Sequence, residues 1–193
     1  MRDNRLPTIL LLHANHQCQP DILGVRDEFV RMETAYALGM TRSHTAVSPL
    51  VERLLTDKKD AVRGAAAVAL GQIGDSAAAS SLGSVLDPQS VAAPSRKAKK
   101  RKKEQNAFVL RAAAHSLGQI GSRAGLPALI AVLQDEKAPD DLKRESAFAL
   151  GMIGDPSAIP ALRAALNAGD PYLSAAANDA LRRILRSQPA GGS

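Results

Sequence analysis

The side chains that could do chemistry in this sequence are few, and they scarcely converge. His13, His16 and Cys18 stand close enough for two imidazoles to share one helical face with a thiolate nearby, which is how a nitrogen and sulfur site for a transition metal begins. They offer three donors only and read as surface polar residues, so no metal site is assigned. Cys18 is the single cysteine of the chain, which excludes an internal disulfide and any zinc module built on paired cysteines. His44 lies beside a helix cap, and His115 shares a slot with aromatic residues, the pattern expected of a packed imidazole. No serine, histidine and aspartate fall at spacings that assemble a nucleophile with its base, and no glycine-rich loop follows a strand to cradle phosphate. These residues therefore assign no catalytic residue and no cofactor-binding residue.

One charged feature is much stronger. Arg96, Lys97, Lys99, Lys100, Arg101, Lys102 and Lys103 place seven cations within eight residues. They account for the net charge of +6, because without them 18 basic residues face 19 acidic ones. The basicity is thus a local insert on a neutral body. Like-charge repulsion should keep such a run extended and solvated, and clustered cations release counterions when they meet a polyphosphate. An acidic protein or a nucleic acid is the partner this chemistry suits. A passive surface loop is the plain alternative, and a nuclear-import peptide would matter only in a eukaryotic cell.

These residues must be held by something, and the composition narrows what. With 193 residues, 45% hydrophobic and 3% aromatic, the chain is too apolar for a disordered polymer and long enough for one domain or a short repeat array. The longest bulky apolar run near the start, Ile9 to Leu12, is too short for a signal peptide or a bilayer span, so a soluble, cytoplasmic protein is expected. AYALGM from Ala35, AVALGQIGD from Ala67, AHSLGQIGS from Ala114 and AFALGMIGD from Ala147 repeat one pattern. Their anchor glycines, Gly39, Gly71, Gly118 and Gly151, lie 32, 47 and 33 residues apart, and the long interval contains the basic run. A degraded fifth copy, DALRRIL from Asp179, puts Arg182 at the anchor position.

Each copy has a second half in register with its glycine. Ser43, Asp75, Ser122 and Asp155 stand four residues after the anchors as helix N-caps. Leu50, Leu82, Leu129 and Leu162 follow at eleven, and Leu54, Leu86, Leu133 and Leu166 at fifteen, one face of an amphipathic second helix. Upstream, small residues at alternate positions allow close packing of a first helix, which the anchor glycine and Gly74, Gly121 or Gly154 are expected to end. Asp27, Asp60 and Asp140 are expected to cap first helices, and Arg31, Arg63 and Lys143 to meet carboxylates of neighbouring units. Phe29, Phe108 and Tyr172 lie ten before their anchors, Tyr36 and Phe148 three before. Recurrence in two slots predicts core or cap residues and leaves no platform for stacking bases.

A unit of this kind cannot bury its apolar face alone, so the units must stack. The expected architecture is an all-α solenoid of about five helix-turn-helix repeats in a single domain over 1–193. Residues 1–24 form a partial N-terminal repeat, 25–87 repeats one and two, 88–106 the basic insert loop, 107–186 repeats three to five, and 187–193 a flexible tail. The partial repeat rests on the likeness of LPTILLLHAN, from Leu6, to LPALIAVLQD, from Leu126; its uncapped apolar edge is a candidate for self-association.

VRGAAAVALGQIGD from Val62, with the matching stretches ending at Ser122 and Asp155, resembles the HEAT-like repeats of the phycobilisome (PBS) lyase type, and the likeness covers most of Val25 to Leu185. It implies the stacked solenoid and, as one function, a bilin-lyase-like or lyase-accessory protein. The diiron hydroxylase branch of HEAT-like proteins depends on repeated His-Glu motifs, and the sequence has none. Because such repeats also serve binding and scaffold proteins, the leading reading is a non-enzymatic protein-protein interaction scaffold or adaptor, alone or as part of a larger repeat protein. A polyanion-binding adaptor acting through the insert is the third reading. If the second helices line a concave binding surface, Glu52, Arg53, Gln134, Arg163 and Asn167 are the partner-binding positions, since they step away from the core leucines.

Overall fold

The structure, a computed structural model, describes Leu23 and residues 25–87 and 107–187. The His13, His16 and Cys18 cluster and the cations from Arg96 to Lys103 lie outside these residues. Among the described residues the chain is all-α, with nine helices and no strand. In chain order they are α1 (Glu28–Thr41), α2 (Val47–Thr56), α3 (Asp60–Ile73), α4 (Ala79–Leu86), α5 (Ala107–Ile120), α6 (Leu126–Gln134), α7 (Asp140–Ile153), α8 (Ile159–Ala165) and α9 (Pro171–Ser187). A short 3-10 turn leads from each first helix into its second. Asp75, Ser122 and Asp155 cap these turns, each accepting from the amide two residues on, at 2.9, 3.3 and 2.9 Å. Ser43 makes no such bond; its hydroxyl pairs with that of Thr45 at 2.8 Å.

Two kinds of glycine do different jobs. Gly74, Gly121 and Gly154 end α3, α5 and α7 with φ of 76°, 68° and 73°, the left-handed region that turns the chain without penalty when there is no Cβ. In the first unit Arg42 occupies that slot at φ 51°. An L-residue there costs about 1–2 kcal/mol, so Arg42→Gly should raise unfolding stability by about 1 kcal/mol in urea denaturation. The anchor glycines, expected to help end the helices, instead lie inside them. A Cβ on Gly39 would come 2.7 Å from the Cα of Ala69, one on Gly118 2.9 Å from that of Ala149, and one on Gly151 2.8 Å from that of Ala180. Their purpose is close approach between helices.

First helices pack on first helices, α1 on α3, α3 on α5, α5 on α7 and α7 on α9, while α2, α4, α6 and α8 form a second layer beside them. The second layer is looser, since a Cβ on Gly83 of α4 would meet only the Cβ of Ala128, at an ordinary 3.5 Å. A stack curves toward its tighter layer, so the first helices form the inner one. Arg182 of α9 is exposed at the position that glycine holds in the other first helices.

Between the layers lie Leu50, Leu82, Leu129 and Leu162, all fully buried. The leucines four residues on diverge. Leu54 and Leu86 are buried, Leu133 is half-buried, and Leu166 is exposed because α8 stops at Ala165 before reaching it.

Polar residues fix the connections. Asp27 caps α1 through the amides of Phe29 and Val30, whereas Asp60 and Asp140 sit inside the first turns of α3 and α7, where they favour the helix dipole rather than cap it. Asp170, which sequence reasoning missed, caps α9 through the amides of Tyr172 and Leu173. The basic ladder is also different from expectation. Arg63 donates to the carbonyl of Leu54, in the last turn of α2, at 3.0 Å and pairs with Asp60 of its own helix at 3.3 Å, while Lys143 donates to the carbonyl of Glu136, just beyond α6, at 3.5 Å.

Only Arg31 meets a carboxylate at the far end of a loop, gripping Asp57 at 2.8 and 3.1 Å. Burial pushes the Asp57 carboxyl up, but the Arg31 guanidinium and the Lys59 amide outweigh it and hold it below its ordinary range. A depressed carboxyl stabilises the fold above its unfolded pKa, and that contribution is lost as pH falls through the folded value. Asp57→Asn should therefore cost stability at neutral pH and flatten the loss seen in wild type below about pH 4.

Candidate functional site

On an inner helix three sides are covered, by the two neighbouring first helices and by the second layer. The fourth side is more open, and it carries residues ten, seven and three before the anchors and one after them, Gly64 excepted, which is buried under Phe108. Here the structure corrects the sequence reading of the aromatic slots. Phe29 is 64% exposed, Tyr172 70%, Phe108 38% and Phe148 39%, and only Tyr36 packs partly against the core. Met40 and Met152 are exposed on the same face at 68% and 38%.

The rings are held in ordered pairs. Phe108 lies against Gly64, whose missing Cβ would stand 2.1 Å from the ring. His115 stacks on Phe148 with centroids 6.2 Å apart and planes 7° from parallel, while its Nδ1 bonds Glu145 at 2.8 Å. It is a half-exposed bridge between α5 and α7 rather than a packed core imidazole. Between α7 and α9 two cation and ring pairs run in opposite senses. Arg144 of α7 lies over Tyr172 of α9 at 5.6 Å, and Arg183 of α9 lies over Phe148 of α7 at 5.3 Å. Arg111 meets Asp141 at 3.4 Å and Arg144 meets Asp170 at 3.2 Å.

A second ladder runs along the turns. The cap Asp75 bonds His44 of the preceding unit at 2.8 Å, and the cap Asp155 bonds Arg123 at 2.7 Å. His44 and then the Ala77 amide hold the Asp75 carboxyl below its usual range; Ser157, with a smaller contribution from Arg123, does the same for Asp155. These residues join one repeat to the next.

The five positions read as partner-binding are scattered over the second layer. Glu52 and Gln134 are exposed on α2 and α6, Arg163 on α8, and Asn167 just beyond α8, while Arg53 is partly covered and paired with Glu52. They belong to the second layer, on or just beyond three of its helices. Among the described residues no cluster of histidine, cysteine, aspartate and glutamate could hold a metal ion, and no helix is long and apolar enough to cross a membrane.

Two layers of stacked helix pairs with an open inner face define an α-solenoid repeat protein. The HEAT-repeat family matches residues 21–98 and 128–190, and the PBS lyase HEAT-like repeat matches residues 109–135. The chain belongs to the HEAT-repeat proteins. Among solved structures it is similar to the complex of CpcE and CpcF of phycocyanin lyase from a Nostoc species, with a TM-score of 0.67 and 25% identity over 89% of this chain. It spans 66% of that chain, just under two thirds of its length. Human deoxyhypusine hydroxylase gives a TM-score of 0.38 at 18% identity, covering 93% of this chain and 90% of the other. An engineered protein gives 0.38 at 19%, covering 95% and 98%. No curated protein matches the sequence.

Proposed function

We propose that the chain is a non-enzymatic scaffold that binds a partner protein along the inner face of its first helices. The observation that carries this is the exposure of Phe29, Phe108, Phe148 and Tyr172 on one layer of the stack. Aromatic and methionine side chains are enriched at protein interfaces, and a chain with so few rings keeps four of them in contact with solvent. The resemblance to a subunit in a two-protein complex agrees with a partnered role. The outer positions Glu52, Arg53, Gln134, Arg163 and Asn167 are then the comparison set. Tagged protein recovered from its native cell should carry one partner, identified by mass spectrometry. Alanine at Phe29, Phe148 and Tyr172 should reduce its recovery at least about tenfold with helicity intact, while alanine at the five outer positions should leave it. The reverse result would move the interface to the second helices.

A bilin-lyase-like or lyase-accessory role is the second reading, favoured by the likeness to the phycocyanin lyase subunit and by the PBS lyase repeat at 109–135. Visible absorbance acquired by the purified chain from a bilin, or passed on to phycocyanin, would establish it. A third role, capture of an acidic protein or nucleic acid by the cations from Arg96 to Lys103, rests on the sequence alone.

A further inference from the structure

The part of the inner face between α7 and α9 has a chemistry of its own. Arg183 is exposed and rests on the Phe148 ring, and no carboxylate lies within ion-pair distance of it among the described residues. A guanidinium stacked on a ring keeps its in-plane N–H donors for another acceptor. Arg144 donates its Nε to the carbonyl of Asp140 at 3.2 Å, pairs with the Asp170 carboxylate at 3.2 Å and lies over Tyr172. Among the described residues its terminal nitrogens donate no hydrogen bond to a carboxylate. Two oriented cations therefore flank the apolar surface of Phe148, Met152 and Tyr172, which is 38–70% exposed. Asp179, one turn before Arg183, is the exposed acid on this side of α9, and Glu145 is occupied by His115.

We infer that the α7 and α9 surface takes an acidic peptide segment bearing aromatic or large apolar side chains. Its carboxylates meet Arg144 and Arg183 while its apolar side chains cover Phe148, Met152 and Tyr172. Charge-assisted, bidentate bonds to arginine set the register, and the rings supply the desolvated centre. This rests on the partner-binding reading above and names the chemistry of that partner.

The probe is a fluorescein-labelled, soluble peptide rich in glutamate with phenylalanines spaced along it, titrated into the full chain and followed by anisotropy. Two relatives of the peptide, with lysine for glutamate and with serine for phenylalanine, complete the set. Wild type should bind the acidic aromatic peptide about tenfold more tightly than either relative, and R144Q/R183Q should lose about tenfold with an unchanged circular dichroism spectrum. F148A should lose affinity for the acidic aromatic peptide and not for its serine relative. Neutralising the cations from Arg96 to Lys103 should leave the phenylalanine dependence in place. Equal binding of all three peptides, no binding, or loss on neutralising the insert with none in R144Q/R183Q would overturn the assignment. If those outcomes came with a native partner still displaced by alanine at Phe29, Phe148 and Tyr172, the inner face would remain the interface and only the acidic chemistry would fall.

Discussion

Replacing Gly118 by alanine is expected to destabilise the protein by about 2 kcal/mol, although the same change in an isolated helix would stabilise it by about 1 kcal/mol. The sign follows from what the methyl group would meet. The new Cβ would stand 2.9 Å from the Cα and 3.1 Å from the Cβ of Ala149, and 3.3 Å from Sδ of Met152. A side chain could swing aside, but the α7 backbone cannot, so α5 and α7 must separate and loosen every contact along their seam. Gly64 supplies the contrast. The atoms nearest its added Cβ all belong to the Phe108 ring, a side chain 38% exposed rather than a helix backbone, so Gly64→Ala should cost less. Urea unfolding followed by circular dichroism separates the two; a stabilised Gly118→Ala would mean that the first helices do not approach as described.

Leu129→Ala should cost about 3 kcal/mol, within the range of roughly 2–5 kcal/mol for deleting a buried leucine side chain. Leu129 is fully buried on α6. Its equivalents Leu50, Leu82 and Leu162 are buried to the same degree, so each unit contributes one such wedge between the layers. Leu166→Ala, at a position 38% exposed, should cost less than about 1 kcal/mol, in proportion to the apolar area it still covers. Similar losses for the two would contradict the placement of the core.

The repeat was legible because turn chemistry and packing chemistry recur in one phase. Gly74, Gly121 and Gly154 supply the left-handed turn, Asp75, Ser122 and Asp155 the caps, and the leucines eleven after the anchors the wedges, all at constant offsets. Recurrence does not tell inside from outside, however, and that is where the aromatic residues were misplaced. Phe148 and Leu150 are two residues apart, which on an α-helix puts them about 160° apart around the axis, so a ring three before the anchor faces away from the buried leucine one before it. The signal was in the spacing. Which layer is inner was not legible, because it depends on how closely α5 and α7 approach relative to α4 and α6, a property of assembled helices. Asp170 was legible too, since it stands twelve residues before Arg182, the offset of the cap Asp27 from Gly39.

The central claim, that the first helices present the functional surface, is tested most directly by site-specific photo-crosslinking in the native cell. A benzophenone side chain placed in turn at Phe29, Phe148 and Tyr172, and at Glu52, Gln134 and Arg163, reports which layer a partner touches. The account predicts one covalent adduct of constant size from the three inner positions and none from the three outer ones. Adducts confined to Glu52, Gln134 and Arg163 would contradict it.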